Sequence, residues 1–263
     1  GYRTMAWVES PTTLLMFDVT DEDLGRYADT IPGLTGVWLY DTELTDQGLD
    51  SLAAFRSVRH LVLRQNTDGA TDAGLVHLRH LSDLRYLQVS GPRFGDGGMK
   101  HVGELTGLQR LSWGGIGLTD AGLSHLKRLT RLQSVSLNAT QLTGDGLKTL
   151  ASLPRLKVLK LHEARIDPEN LRHLAGHLSL VELVVRAGHA TDWKGLRHLK
   201  HCPALEVIGI PNCSVDDDDV LQLEGCDGLA GLDLAGTNIT DAALRTLACL
   251  PRLQWVEVGN TAV

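Results

Sequence analysis

A period of about 24 residues recurs along most of the chain, and it constrains the fold more than any other feature of the sequence. The segment LQRLSWGGIGLTDAGLSHLKRLTR occupies 108–131, and LQSVSLNATQLTGDGLKTLASLPR follows it directly at 132–155. The same pattern begins at Leu34, Val58, Leu84, Leu108, Leu132, Leu156, Leu180, Leu205, Leu229 and Leu253. We therefore predict one continuous repeat domain over 34–263, with nine full units and a truncated tenth. The preceding segment, 1–33, contains a shortened, degenerate unit that we interpret as a capping repeat.

Each unit has two halves that differ in the spacing of their apolar residues. The first half is apolar at alternating positions, as at Val135 and Leu137, which is typical of a short strand. The second half has leucines three residues apart, as at Leu123, Leu126 and Leu129, and predicts a short helix with one buried stripe. A Thr-Asp pair that can cap the helix start precedes this half at Thr119-Asp120, Thr191-Asp192 and Thr240-Asp241.

One such unit cannot bury its own apolar face, so the units are expected to stack on one another. The predicted fold class is α/β, a curved solenoid with a parallel β-sheet on the concave face and short helices on the convex face. Ten strands spaced about 4.8 Å apart predict roughly 43 Å of sheet along the stacking direction, which is large enough to bind a protein.

From about residue 14 to residue 263, the sequence resembles leucine-rich repeat proteins. The stretch CPALEVIGIPNCSVDDDDVLQLEGC, 202–226, is similar to the cysteine-containing repeats in the recognition halves of F-box proteins. Most units are shorter than that class and lack a counterpart of Cys213, and the TDAGL helix start is closer to repeats of bacterial proteins. The resemblance implies a horseshoe-shaped binding module without catalytic chemistry of its own.

The third, fifth and seventh residues of each unit are expected to point away from the core and onto the concave face. Tryptophan, tyrosine and arginine are enriched at binding hot spots, and they occupy several of these positions in adjacent units. The predicted partner-binding residues are Trp38, Tyr40, His60, Arg64, Tyr86, Gln88, Arg110, Lys160, His162 and Arg186. The alternative is that aromatic residues simply favour strands and shield the sheet.

The charge pattern narrows the class of partner. The net charge of −7 and the pI near 5.9 disfavour a nucleic-acid surface. The sequence has no long apolar run and no signal peptide, so we predict no membrane association and a cytoplasmic location. At the central outward positions, basic residues nevertheless outnumber the acidic one: Arg64, Arg110, Lys160 and Arg186 against Glu182. We therefore expect a protein partner with an acidic or mixed-charge segment, and the oligomeric state stays open.

Other residues capable of chemistry are expected to have structural roles. Five helix-side histidines form a row with one member per repeat, which does not converge on a zinc ion: His77, His101, His125, His173 and His198. The acidic run 216–219 indicates a helix start rather than a cation site. The four cysteines lack a CxxC pair and are predicted to be buried free thiols, with a disulfide or zinc site as the alternative. The glycine-rich stretch 91–98 has no Lys-Ser/Thr of a phosphate loop. No catalytic residue, metal or cofactor is predicted.

The favoured hypothesis is a non-catalytic protein–protein interaction module that binds its partner on the concave sheet. One alternative is a ligand-sensing or substrate-recognition domain of a larger signalling ATPase or ubiquitin-ligase-like enzyme, since the truncated last unit leaves an open sheet edge. Another alternative is a structural or assembly element that binds through its edges or helices. This last alternative predicts that substitutions on the concave face leave binding unchanged, whereas the favoured hypothesis predicts that they weaken it.

Overall fold

The computed structural model describes residues 13–28, 33–64, 69–138, 140–163, 166–186 and 193–263. The chain forms two compact units, Gly1–Leu132 and Gln133–Val263, called unit 1 and unit 2. The division falls within one residue of the predicted repeat start at Leu132. The single continuous domain over 34–263 stays a prediction.

Unit 1 alternates strands with short helices. Its strands are β1 (Thr13–Phe17), β2 (Gly36–Tyr40), β3 (His60–Arg64), β4 (Tyr86–Ser90) and β5 (Arg110–Gly114). Its α-helices are α1 (Asp21–Ala28), α2 (Asp96–Val102) and α3 (Asp120–Leu123), and its 3-10 helices span Gly48–Ala54, Asp72–His80 and Ser124–Arg128. The predicted degenerate capping unit thus forms a strand and a helix of its own, β1 and α1.

Unit 2 continues the same alternation. Its strands are β6 (Ser134–Asn138), β7 (Val158–His162), β8 (Glu182–Arg186), β9 (Val207–Gly209), β10 (Gly231–Asp233) and β11 (Trp255–Glu257). Its α-helices are α4 (Gly144–Ala151), α5 (Asp217–Leu221) and α6 (Asp241–Leu247), and its 3-10 helices span Pro168–Leu174 and Lys194–His201.

The strands of each unit pair in parallel and in chain order. The register places equivalent repeat positions beside one another, so that Val37 pairs with Leu61 and Leu61 with Leu87. These three side chains are fully buried. A continuous row of apolar side chains therefore forms the core behind the strands of each unit, and the predicted α/β repeat class is confirmed.

Several of the helices are 3-10 helices rather than α-helices. The leucine spacing is compatible with both helix types, because residues i and i+3 lie on one face of a 3-10 helix and are also neighbours on an α-helix. In Asp72–His80, Leu75 and Leu78 are both fully buried. In the α-helix α4, Leu147 and Leu150 have the same spacing and are also fully buried, so the predicted buried stripe is present in both helix types.

Threonines cap the helices as predicted. The Thr119 hydroxyl oxygen accepts a hydrogen bond from the Ala121 N–H at 3.2 Å, and that of Thr240 accepts one from the Ala242 N–H at 3.3 Å. The third predicted cap, Thr191-Asp192, lies outside the described residues. These hydrogen bonds satisfy backbone donors that the first helical turn leaves free.

The aspartate that follows several caps links its repeat to the next one, which the sequence reasoning missed. Asp96 accepts hydrogen bonds from the Thr119 N–H at 2.8 Å and from the Thr119 hydroxyl at 2.7 Å. Asp217 accepts the equivalent pair from Thr240 at 2.8 and 2.7 Å, and a third from the Ala243 N–H at 3.2 Å. Each of these carboxylates therefore lies near the start of its own helix. It also fixes, through hydrogen bonds, the start of the helix in the next repeat.

We expect Asp217→Asn to lower the free energy of unfolding at pH 7 by about 1 kcal/mol, because the variant loses charge-assisted bonds to Thr240 at a solvated site. The hydrogen bonds from Thr240 and Ala243, chiefly that of the Thr240 backbone, hold the pKa of Asp217 below its ordinary value. This stabilisation is present above the unfolded-state pKa of about 3.9 and is lost as the pH falls through the lower folded-state pKa. Urea titrations of both proteins at pH 7 and below pH ~4 are expected to show the difference shrinking in acid.

Asp241→Asn is the matched control. Asp241 occupies the same register at the start of α6, yet it has no hydrogen bond to another repeat among the described residues. Its substitution tests only the interaction of the charge with the helix end. An equal loss of stability in the two variants would show that the inter-repeat bonds contribute nothing.

Candidate functional site

Alternate residues of the unit 1 strands point away from the buried leucine rows and form what we call the open face of unit 1. The strand register arranges these residues in three rows that cross the strands. The first row contains Thr13, Gly36, His60, Tyr86 and Arg110; the second contains Leu15, Trp38, Val62, Gln88 and Ser112; the third contains Phe17, Tyr40, Arg64, Ser90 and Gly114. All seven unit 1 residues of the predicted partner-binding set thus lie on one face.

The third row contains a stacked series of side chains. The rings of Phe17 and Tyr40 lie 5.5 Å apart between centroids with an interplanar angle of 23°. The Arg64 guanidinium carbon lies 5.5 Å from the centroid of the Tyr40 ring, within the range of a cation–π interaction. Tyr40 therefore contacts an aromatic ring on one neighbouring strand and a cation on the other, and its orientation is restrained from both sides.

Phe17 is a member of this series that the sequence reasoning missed. The signal was present in the alternation of TLLMF, because Leu14 and Met16 are buried and Phe17 must then point to the open face. The degenerate first unit concealed this alternation, since its helical half departs from the repeat pattern.

The first row brings His60, Tyr86 and Arg110 onto consecutive strands. The rings of His60 and Tyr86 lie 6.3 Å apart at a tilt of 48°. Burial, with a smaller contribution from Tyr40, raises the pKa of Tyr86, and Arg110 opposes this effect. The Tyr86 hydroxyl is therefore neutral at pH 7, and it donates a hydrogen bond to the Gln88 side-chain oxygen at 2.9 Å.

The second row is less accessible than the first. Val62 is 3% exposed, so this outward position is covered by its neighbours. Trp38 is half-buried, and its indole nitrogen has no hydrogen-bond partner within the described part of the chain. Trp38 thus contributes apolar area to the open face, and Gln88 contributes a side-chain amide.

Unit 2 carries the other three predicted residues on its own open face. Lys160 Nζ lies 2.7 Å from Glu182 Oε1, so its charge is neutralised within the sheet. His162 pairs in register with Arg186, and burial, followed by Arg186 and Lys160, lowers its pKa. The predicted excess of positive charge at the central positions is therefore reduced in unit 2 by the ion pair, because the lysine and the glutamate lie on adjacent strands.

At the last two strands of unit 2, β10 and β11, the outward positions are a glycine, two acidic residues and a tryptophan. Gly231 pairs with Trp255, and Asp233 pairs with Glu257. Trp255 is 46% exposed and covers Gly231, where an added Cβ would lie 2.2 Å from the indole ring. This end of unit 2 presents carboxylates, whereas the open face of unit 1 presents guanidinium groups.

Two of the five helix-side histidines lie close to a carboxylate of the preceding repeat. His77 Nδ1 lies 2.8 Å from Asp50 Oδ1, and His198 Nε2 lies 2.9 Å from Glu169 Oε1. The hydrogen bond with His198 is the main reason that the pKa of Glu169 is lowered. No group of three or more potential metal ligands occurs among the residues that the structure describes.

The acidic run and the cysteines agree largely with prediction. Asp216 caps α5 in a reciprocal capping box with Asp219. Cys202, Cys213 and Cys226 are buried free thiols, and burial raises the pKa of Cys226 to about 12. Cys249 is exposed, contrary to prediction, because it precedes by one residue the buried repeat position of Cys202 and Cys226.

Comparison with solved structures identifies the fold. An internalin (inlF) from Listeria monocytogenes matches 95% of this chain and 87% of its own at 18% identity, with a TM-score of 0.50. The mouse RP105/MD-1 complex matches 95% of this chain and 46% of its own at 17% identity, with a TM-score of 0.64. The chain has a leucine-rich repeat fold.

No protein-family model and no curated protein matches this leucine-rich repeat sequence. The cysteine-containing repeat type therefore stays a prediction. Among the described residues, no helix has both the length and the apolar character needed to cross a bilayer.

Proposed function

We propose that this leucine-rich repeat protein is a non-catalytic module that binds a protein partner on the open face of unit 1. The observation that carries the proposal is the stacked series Phe17–Tyr40–Arg64, with Trp38 and Tyr86 on the same face. Tryptophan, tyrosine and arginine are the residue types that supply most of the binding energy at protein interfaces.

The open face is partly ordered before a partner arrives. Stacking on Tyr40 restrains Arg64, and the hydrogen bond to Gln88 restrains Tyr86. Ordering a mobile side chain on binding costs about 0.5 to 1.5 kcal/mol, so side chains that are already restrained lose less on association. This preorganisation favours recognition over a merely protective role for the aromatic residues.

The charge of the open face determines which kind of partner segment it complements. No aspartate or glutamate occupies an outward strand position of the described part of unit 1, whereas Arg64 and Arg110 both do. A partner segment with acidic or mixed charge complements this face, and such complementarity raises association rates and specificity. Lys160, His162 and Arg186 are proposed as additional contacts on unit 2, with Lys160 weakened by its ion pair with Glu182.

One structural neighbour supports a protein as the class of partner, because it is described as a complex of RP105 with MD-1. The proposed intracellular site of action is the cytoplasm, in keeping with the buried free thiols of Cys202, Cys213 and Cys226.

The triple variant Trp38→Ala/Tyr86→Ala/Arg110→Ala tests the proposal. We expect it to weaken capture of the partner from a lysate of the source organism by at least about 100-fold, since each hot-spot residue contributes more than ~1 kcal/mol. Affinity measured for the captured protein is expected to fall as the salt concentration rises, because counter-ions screen the guanidinium groups.

The control is Arg56→Ala/Arg79→Ala/Lys100→Ala, which removes exposed cations away from the open face. Circular dichroism establishes that both variants are folded. If the two variants captured the partner equally well, the binding site would lie on the helices or at the sheet edge, as the structural-element alternative requires.

A further inference from the structure

Basic side chains lie close together at the end of the unit 1 open face where β3, β4 and β5 begin. Arg59 immediately precedes β3, His60 is the first residue of β3, and Arg110 is the first residue of β5. Tyr86, the first residue of β4, pairs in register with His60 on one side and with Arg110 on the other. His60 and Arg110 therefore flank Tyr86 on the open face, and Arg59 lies next to His60 in the chain.

The two guanidinium groups in this cluster are exposed and are not neutralised by any acidic residue within the described ranges. Neither Arg59 nor Arg110 makes an ion pair with any residue that the structure describes, and both side chains are exposed. Asp83, which lies just ahead of β4, faces Arg85 at 3.9 Å.

The pKa of His60 reflects this excess of positive charge. Partial burial, then Arg110, then Arg59 lower its pKa. The groups that face it from the flanking strands bring no compensating charge at pH 7, because β2 contributes Gly36 and β4 contributes the neutral hydroxyl of Tyr86.

We propose that Arg59, His60 and Arg110 form a subsite for a carboxylate of the partner's acidic segment. This inference rests on the proposed function and adds to it the place and the chemistry of the acidic contact. Guanidinium groups form short, charge-assisted hydrogen bonds with carboxylates, and the ring of Tyr86 provides an apolar floor beside them. A nucleic-acid backbone is disfavoured, since a net charge of −7 repels an extended polyanion while a single carboxylate meets only the local cations.

A carboxylate bound at the subsite favours the protonated form of His60. The pKa of His60 is thus higher with the anion bound than without it, and by linkage the anion binds more tightly as the pH falls between these two values. The predicted contact is therefore pH-dependent in a defined direction.

The test is an NMR pH titration of the His60 imidazole over about pH 4.5 to 8 in sodium chloride and in sodium acetate at matched ionic strength. The resonance is assigned with His60→Gln. We expect acetate to raise the pKa of His60 by about 0.5. Arg110→Gln is expected to raise the pKa in chloride, because a repulsive cation is removed, and to abolish the response to acetate. Lys100→Gln, which removes an exposed cation from α2, is expected to behave as the parent does.

An unchanged pKa of His60 in acetate, or an equal response in Arg110→Gln, overturns the subsite. A parallel titration in inorganic phosphate separates the two anion chemistries, and a response to phosphate without one to acetate overturns the assignment to a carboxylate. The titration needs no partner, so it is independent of the capture experiment. A normal acetate response combined with full capture by the triple variant would refute the proposed function and the link to the partner, whereas loss of capture without any acetate response would refute the subsite alone.

Discussion

Trp113→Ala is expected to lower the free energy of unfolding by about 3 to 5 kcal/mol. Trp113 lies on β5, is 1% exposed, and packs edge-on against Phe94 with ring centroids 6.2 Å apart. Removal of the indole leaves a large cavity that the neighbouring side chains fill only in part, because the pairing with β4 holds β5 in register. Urea titration followed by circular dichroism measures the change without relying on the fluorescence of the lost tryptophan.

Trp255→Ala is the control for this prediction. Trp255 is 46% exposed on the open face of unit 2, so its removal opens no enclosed cavity. The expected loss is below about 1.5 kcal/mol. If the two tryptophan variants were equally destabilised, close packing around Trp113 would not be the source of its contribution.

Gly195→Ala is expected to destabilise the protein by about 2 kcal/mol or more, since overpacking against rigid backbone is poorly tolerated. A Cβ at Gly195 would lie 2.0 Å from the Pro168 carbonyl oxygen and 2.8 Å from the Glu169 backbone nitrogen. Both atoms belong to the backbone of the 3-10 helix Pro168–Leu174. The added methyl group therefore fits only if this helix moves away from the 3-10 helix Lys194–His201, which contains Gly195. The measurement is the free energy of unfolding from urea titration.

Gly25→Ala is the matched control, and it is expected to raise the free energy of unfolding rather than lower it. Gly25 lies inside α1, and the atom nearest to its added Cβ is Ser51 Oγ at 3.7 Å, an ordinary contact distance. Alanine is favoured over glycine in a helix by about 0.5 to 1 kcal/mol, so the variant is expected to be more stable than the parent. Stabilisation by both substitutions would contradict the close approach of the helices at Gly195.

The candidate site was predictable from the sequence to the extent that it depends on strand alternation. Because side chains alternate strictly across a strand, the leucines of each LxxLxL segment determine which residues face outward, and Trp38, Tyr40 and Tyr86 were assigned correctly to one face. The helix caps at Thr119 and Thr240 were equally predictable, because capping is a local interaction.

Contacts between residues in different repeats were not predictable in the same way. The ion pair of Lys160 with Glu182 and the stacking of Phe17 on Tyr40 depend on side-chain conformations, and a row of outward positions does not specify which neighbours interact. The Asp96–Thr119 hydrogen bonds were missed for a related reason, since the sequence also allows that aspartate to interact only with its own helix end.

The sequence by itself determined the fold class, the strand order and the outward face, because each follows from a period repeated ten times and from the burial of leucine at fixed positions. Only the tertiary structure decided which cations stay unpaired, which aromatic rings stack, and where two backbones come too close to accept a side chain. The physical reason is that burial averages over many weak apolar contacts and tolerates small shifts. Ion pairs, ring stacking and steric contact instead depend on individual distances to within an ångström or so.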